Sequence, residues 1–125
     1  MTPEWFESRA WIWLHYAVAK LGRGELFEAI GMLSFFREQV LGPMLHRRAN
    51  LPQRGVRRIE SRGIDPDGLL TSTLATHDRD SVSVAIRMAL DAYITLRADA
   101  LPENIADDAA QRALLAMLKA YSDKV

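Results

Sequence analysis

The chain has 125 residues, of which 49% are hydrophobic and 26% are charged, so it is long and apolar enough to bury the core of one ordinary domain. Its 16 basic and 16 acidic side chains cancel, which argues against a general nucleic-acid or membrane-surface binder, because such proteins usually carry a basic excess. The absence of cysteine excludes disulfides, thiolate metal sites and cysteine nucleophiles.

The N-terminal segment predicts a long helix. Thr2-Pro3-Glu4 is typical of a helix start, with a capping hydroxyl, a proline in the first turn and an acidic residue near the helix N-terminus. The helix should end near Lys20 or Leu21, because Gly22-Arg23-Gly24 follows. Its tryptophan-rich middle is apolar on nearly all sides, which indicates a helix packed between other elements.

A second helix is predicted from Glu25 towards Arg47. Its apolar residues keep to one face at steps of three, four and seven, and Arg37 interrupts that stripe. Gly42-Pro43 should kink or end the helix, because proline lacks a backbone donor and crowds the preceding turn.

The stretch from about 49 to 67 is predicted to be a loop, with one helical turn near Val56 to Ser61. Guanidinium groups suit phosphate and carboxylate, so this basic loop predicts an anion-binding segment or a surface for an acidic partner. The alternative is a solvated loop whose arginines pair with later acidic residues. The absence of interleaved aromatic residues argues against single-stranded nucleic acid. The basic segment runs from Arg47 to Arg62 and overlaps this loop; its arginines are Arg47, Arg48, Arg54, Arg57, Arg58 and Arg62.

The second half of the chain predicts further helices. Asp65-Pro66 is typical of a cap and first-turn proline, opening a short helix that reaches Leu74. Asp80 or Ser81 should cap a fourth helix with a wide apolar stripe, and Asp107-Asp108 suits the start of the last helix.

These elements predict one all-α domain spanning residues 1–125, a mostly up-and-down bundle of four to five helices. No stretch alternates apolar and polar residues as strands do. No charged leader precedes an apolar segment, and the longest nearly uncharged run is about half a membrane span. We therefore expect a cytoplasmic protein with no membrane partner.

Metal and nuclease chemistry have little support in the sequence. No two of the three histidines lie within thirty residues of each other, so no metal site is predicted. Arg9 and His15 give an Arg-x5-His spacing similar to the Arg-x4–6-His motif of helical HEPN nucleases. A HEPN-like ribonuclease therefore stays open as an alternative.

The junction between the first two helices concentrates charged side chains. Tyr16, Lys20 and Arg23 follow one helical face at i, i+4 and i+7, and Glu25 and Glu28 open the next helix. Such a corner would present cations to an anionic ligand, with carboxylates beside them. The alternative is ordinary helix capping, because cations favour a helix C-terminus and acidic residues an N-terminus.

The run from Trp13 to Ala29 resembles the first helices of the helical second domain in bacterial nucleotidyltransferases of the aminoglycoside adenylyltransferase kind. Those domains often carry a tryptophan-rich start, then Tyr-x-x-x-Lys-Gly or a variant, then Arg-x-Glu-Leu and an alanine-bearing helix. The matching residues here are Tyr16, Lys20, Arg23, Glu25 and Leu26. Leu41-Gly42-Pro43 and the Arg-Gly-Val-Arg-Arg run at 54–58 are similar to the same group, so the resemblance covers roughly the first sixty residues.

The resemblance implies a function shared between two domains. In that family an N-terminal α/β domain binds divalent metal and the nucleoside triphosphate through a Gly-Ser motif and aspartates. The helical domain closes the cleft, supplies a lysine to the triphosphate and helps to bind the acceptor. Lys20 would then contact phosphate, with Arg23 and Tyr16 beside it, and Glu25 and Glu28 would lie on the acceptor side.

No catalytic residue, metal ligand or cofactor is assigned to this chain. It contains no Gly-Ser followed by Asp-x-Asp, and Tyr16 stands where some relatives have a glutamate that acts as general base. Magnesium and the nucleoside triphosphate are expected in a separate catalytic domain, which would be the partner. The alternative from a different class is a non-catalytic interaction module, a homodimer that buries the tryptophan-rich helix.

Overall fold

Helices account for all regular structure in the part of the chain that the computed structural model describes, residues 1–105 and 108–122. A π-helical turn joins the second and third α-helices without a break, so the described residues form four helical rods. The prediction of an all-α bundle is therefore confirmed. The helices are α1 (Pro3–Gly22), α2 (Leu26–Phe36), α3 (Gly42–Arg48), α4 (Arg79–Arg97) and α5 (Asp108–Ser122), with the π-helical turn at Arg37–Leu41.

Side-chain caps set the starts of α1 and α4. The Thr2 hydroxyl accepts a hydrogen bond from the Trp5 amide at 3.1 Å, as predicted. The cap of α4 is Asp78, whose carboxylate accepts from the Ser81 amide at 3.0 Å. The prediction of Asp80 or Ser81 was wrong, because Asp78 has the extended backbone of a cap and Asp80 already lies within the helix.

The predicted kink at Gly42-Pro43 takes the form of the π-helical turn just before it. The Gly42 amide donates to the carbonyl of Arg37, five residues back. Pro43 is the second residue of α3, directly after this turn, and it has no amide to donate to a carbonyl of the preceding turn. The chain therefore stays helical past the proline and changes its winding upstream of it.

Contacts between the rods show that their directions run up, down, down and up. The α1 helix is antiparallel to α2 and to α4, and α5 is parallel to α1. The long connection over residues 49–78 returns from one end of the bundle to the other, which makes α4 parallel to α2 and adds one crossover to the predicted up-and-down order. The defining contacts are Trp13–Phe35, Tyr16–Glu28, Glu7–Arg97, Gly22–Arg79 and Arg79–Tyr121.

One hydrophobic core joins the rods. Its largest fully buried side chains include Phe6, Leu14, Phe36, Ile86 and Tyr93. The prediction that α1 is covered on all sides was wrong for one face. Trp11 is buried, but Ile12 is 66% exposed, because the neighbouring helices α2, α4 and α5 leave one side of α1 in solvent.

The predicted short helix after Asp65-Pro66 is reduced to one 3₁₀ turn, Thr71–Thr73. The Asp65 carboxylate does act as a cap, since it accepts hydrogen bonds from the Leu69 and Leu70 amides at 2.8 Å each. Gly68 has a φ of 70°, outside the right-handed helical region, so no helix can run through it.

The basic loop contains turns and no helix over residues 49–67. The predicted helical turn near 56–61 is present as a hydrogen-bonded turn in which the Arg62 amide donates to the Arg58 carbonyl at 3.1 Å. Ile59 and Ile64 anchor this turn in the core, at 2% and 7% exposure. The loop is therefore held against the bundle by apolar contacts.

Candidate functional site

The five residues predicted at the junction of α1 and α2 lie together at one corner of the bundle. A Schellman turn ends α1, because the Glu25 amide donates to the Lys20 carbonyl and the Gly24 amide to the Leu21 carbonyl, each at 2.9 Å. Gly24 supplies the left-handed conformation that this turn requires, with a φ of 76°. We call the five residues the α1–α2 corner: Tyr16, Lys20, Arg23, Glu25 and Glu28.

Both predicted phosphate donors face the same carboxylate. The Lys20 Nζ atom lies 3.3 Å from Glu25 Oε2, and Arg23 Nη1 lies 4.0 Å from that oxygen. The Lys20 side chain is 20% exposed, whereas the Arg23 side chain is 69% exposed and points largely to solvent. An anion that binds here must therefore compete with Glu25 for both cations.

A hydrogen bond between helices forms the other half of the corner. The Tyr16 hydroxyl donates to Glu28 Oε2 at 2.8 Å, and this bond to a carboxylate raises the pKa of the Tyr16 phenol. The Lys20 ammonium lies 5.3 Å from the centre of the Tyr16 ring. The corner thus holds two cations and two carboxylates, so its formal charge is zero.

An open groove of about 340 Å³ adjoins the corner on the α2 side. Gly31 lines the groove, and a Cβ atom at this position would have no neighbour within 4 Å. Phe27 is 82% exposed and packs on the His77 ring, with the ring centres 4.5 Å apart and the ring planes tilted by 40°. The groove therefore offers aromatic surface next to the carboxylate of Glu28. We call it the aromatic groove; its lining is Tyr16, Phe27, Glu28, Gly31, Met32 and Phe35.

The basic segment divides into paired and exposed arginines. Arg48 Nε lies 2.7 Å from Asp99 Oδ2, so the alternative of pairing with later acidic residues holds for this arginine. Arg47 donates to the Leu96 carbonyl. Within the described ranges no carboxylate forms an ion pair with the remaining four, which are exposed: Arg54, Arg57, Arg58 and Arg62.

The structure does not bring Arg9 and His15 into one site. The Arg9 guanidinium lies 4.3 Å from the centre of the Trp5 ring and donates to the Trp5 carbonyl. His15 is half-buried on the same helix, six residues further on. Six residues turn an α-helix by about 240° beyond one full turn, so the two side chains leave α1 in different directions.

A buried polar network that the sequence reasoning missed joins α1 to α4. Glu7 is 7% exposed and accepts hydrogen bonds from Trp11, from the Tyr93 hydroxyl and from Arg97 Nη1. Burial and the bond to Glu7 raise the pKa of Tyr93. Next to the network, Arg47 keeps two buried guanidinium nitrogens that make no hydrogen bond. The signal in the sequence was a second carboxylate of α1, Glu7, which follows Glu4 by three residues and comes just before the apolar run of the helix.

In residues 1–105 and 108–122, no three metal-ligating side chains come together, and no helix has the length and apolarity needed to cross a bilayer. No protein-family model matches the chain, and no curated protein or solved structure is significantly similar to it. The resemblance to nucleotidyltransferases therefore stays a prediction, and the geometry of the corner and groove is the basis for a functional proposal.

Proposed function

We propose that this chain is the helical substrate-binding or lid domain of a nucleotidyltransferase-like protein. It assists the binding of a nucleoside triphosphate and an acceptor, and a separate catalytic domain supplies the metal and the chemistry. The observation that carries the proposal is the convergence of all five predicted residues on the α1–α2 corner, beside an open aromatic groove.

The contact between Lys20 and Glu25 is compatible with this role. The Glu25 side chain is 44% exposed, and ion pairs with solvent-exposed carboxylates contribute about 0–1 kcal/mol, so we expect release of the lysine to cost little. A triphosphate offers several negative charges, and hydrogen bonds to charged groups contribute about 1.5–3 kcal/mol. We expect a triphosphate to displace Glu25 because it brings several negative charges to both cations, and the side chain of Arg23, which is 69% exposed, has room to follow the anion.

The groove fits the acceptor side of the proposal. Glu28 lies at its polar end and accepts from Tyr16, while Phe27 and Phe35 give it aromatic faces. A substrate with a cationic or hydroxyl-bearing ring would find a carboxylate and a stacking surface in one place. Metal ligands are not grouped in the described part of the chain, so no step assigned to this domain uses a metal that it holds.

Titration of the chain with Mg·ATP and with sodium triphosphate, followed by amide chemical shifts, tests the proposal. We expect shifts at the corner, and Lys20→Ala should weaken binding about 10-fold, because one charge-assisted contact is lost. Lys119→Ala is the matched control, an exposed lysine on α5 that lines a different surface together with Ser83 and Arg87 of α4. Glu25→Gln should strengthen binding by about 2- to 5-fold, because the anion no longer competes with a carboxylate.

Two results would contradict the proposal. One is an affinity for Mg·ATP that Lys20→Ala leaves unchanged. The other is a Glu25→Gln variant that binds the nucleotide more weakly than the original chain. That result would mean that the ion pair of Lys20 with Glu25 stabilises the fold of the corner and is not exchanged for the anion.

A homodimeric interaction module is the second candidate, because the α1 and α2 surface exposes large apolar side chains. Phe27 is 82% exposed, Ile12 66% and Phe35 43%, which is typical of surfaces that bind another protein. Sedimentation velocity at micromolar concentration tests this candidate, and Phe27→Ser should dissociate the dimer. A chain that stays monomeric at 100 µM would eliminate it.

A further inference from the structure

We infer that the chain holds a second binding site, for a small amphiphilic carboxylate, in a pocket between the π-helical turn and the basic loop. This pocket has a volume of about 260 Å³, which suits a ligand the size of a short fatty acid. We call it the Arg37 pocket. It is separate from the α1–α2 corner, and the inference does not depend on the proposed function. Its main walls are Arg37, Val56, Ile59, Glu60, Leu70 and Leu74.

The π-helical turn and a close glycine contact build this pocket. Arg37 begins the π-helical turn, and Glu38 accepts a hydrogen bond from the Val56 amide at 3.0 Å. A Cβ atom on Gly42 would lie 2.8 Å from the carbonyl carbon and oxygen of Gly55, so the two backbones touch. These contacts hold the loop against the helix, and the buried Ile59 anchors the far wall.

Arg37 is the cation that points to a ligand. It is half-buried, and burial lowers the pKa of its guanidinium. Its Nη1 atom donates to the carbonyl and hydroxyl oxygens of Thr73, at 3.0 and 3.1 Å. No carboxylate in the described ranges lies within 4.0 Å of it, and no other nitrogen of this side chain has a hydrogen-bond partner there.

A half-buried guanidinium without a counter-ion is costly, and it interrupts an otherwise apolar helix face. An anion bound through the remaining nitrogens would supply the missing counter-ion and accept their hydrogen bonds, because the guanidinium fork suits a carboxylate. The apolar walls, which include Ile59, Leu70 and Leu74, would take the hydrocarbon part of the ligand.

The pocket lining favours a monoanion over a dianion. It carries one cation, Arg37, and two carboxylates, Glu60 and Asp65, while the arginines of residues 57–62 are exposed on the same loop. One carboxylate, Asp65, already accepts two backbone hydrogen bonds, but Glu60 is an exposed group on the pocket wall. Glu60 would repel a doubly charged phosphate monoester more than a singly charged carboxylate.

Amide chemical shifts on titration with hexanoate test the inference in the full chain. We expect saturable shifts confined to residues 37, 56–63 and 70–74, and no such shifts with hexylammonium, which has the same chain and the opposite charge. Phenyl phosphate should bind at least 3-fold more weakly than phenylacetate. Arg37→Gln, which keeps a donor for Thr73, should weaken hexanoate binding at least 10-fold.

A pair of variants with opposite charges at the pocket rim tests the inference even if Arg37→Gln does not fold. Leu74 is 61% exposed, so Leu74→Glu and Leu74→Lys both leave the core intact. We expect Leu74→Glu to weaken hexanoate binding at least 3-fold and Leu74→Lys to retain or strengthen it. The inference is overturned by the absence of saturable binding up to 20 mM, by equal binding of hexylammonium, or by equal affinities of the two Leu74 variants.

Discussion

Replacing Glu7 by leucine would break the buried network that joins α1 to α4. Glu7 accepts from Arg97 at 3.1 and 3.2 Å, from Trp11 at 3.0 Å and from the Tyr93 hydroxyl. The side chains of Glu7 and Arg97 are 8% and 13% exposed, so water cannot replace the lost carboxylate. The variant leaves a buried guanidinium without its counter-ion and two donors without an acceptor.

The expected cost follows from this burial. Breaking a buried ion pair by removing one partner costs about 3–5 kcal/mol. The double variant Glu7→Leu with Arg97→Met removes the orphaned charge and leaves only the donors of Tyr93 and Trp11, at about 1–3 kcal/mol each. We therefore expect the double variant to be at least about 1 kcal/mol more stable than Glu7→Leu alone.

Urea unfolding followed by circular dichroism at 222 nm measures these differences without relying on Trp11 as a reporter. The four chains of the cycle are compared at one pH and ionic strength, with equal m-values as the check that unfolding stays two-state. If the double variant loses the sum of the two single losses, Glu7 and Arg97 do not interact energetically, and the argument from burial fails.

Three further predictions use other parts of the fold. Gly31→Ala should stabilise the fold by about 0.5–1 kcal/mol, because the position is helical and open, whereas Gly42→Ala should destabilise it by about 1–3 kcal/mol, because the new Cβ would meet the backbone of Gly55. Thermal unfolding measures both variants. A change in stability of the same sign in both would refute the contact between Gly42 and Gly55. Burial raises the pKa of Tyr93, so its protonated form stabilises the fold below about pH 10 and this contribution is lost as pH rises. Absorbance at 295 nm should show Tyr93 ionising only as the chain unfolds, and ionisation of every tyrosine with unchanged ellipticity would disprove this. The hydrogen bond from Arg48 lowers the pKa of Asp99, so its stabilisation is present above about pH 4 and lost as pH falls. Asp99→Asn should cost at most about 1 kcal/mol at pH 7, with a Tm difference that narrows towards pH 3, and a difference independent of pH would count against the pair.

The sequence predicted the structure correctly wherever a feature depends only on residues close together in the chain. Thr2 caps α1 because its hydroxyl reaches an amide three residues away, and Gly24 ends that helix because it can adopt a positive φ. The apolar stripes of α2 and α4 likewise predict which faces enter the core. Each of these features depends on neighbours within about one helical turn, so the sequence alone was sufficient to predict the long helices and the all-α class.

Sequence patterns also located the α1–α2 corner, but they did not show which of its charged side chains pair with each other. Tyr16, Lys20 and Arg23 share a face by helical spacing, so their proximity follows from periodicity. Their pairing with Glu25 and Glu28 depends on how the Schellman turn aims α2 against α1. The carboxylates were expected beside the cations, but the contacts of Lys20 and Arg23 with Glu25 are seen only in the tertiary structure.

The two features of greatest chemical interest needed the tertiary structure. Glu7 meets Tyr93 and Arg97 across 86 and 90 residues of sequence, and Arg37 meets Thr73 across 36. In the sequence Arg37 is an interruption of an apolar stripe, and Glu7 is an acidic residue in an apolar helix. Only the packing of α4 and of the long crossover decides whether such a charge is paired, exposed or left facing a pocket, because burial and distance to a counter-ion are properties of the assembled bundle.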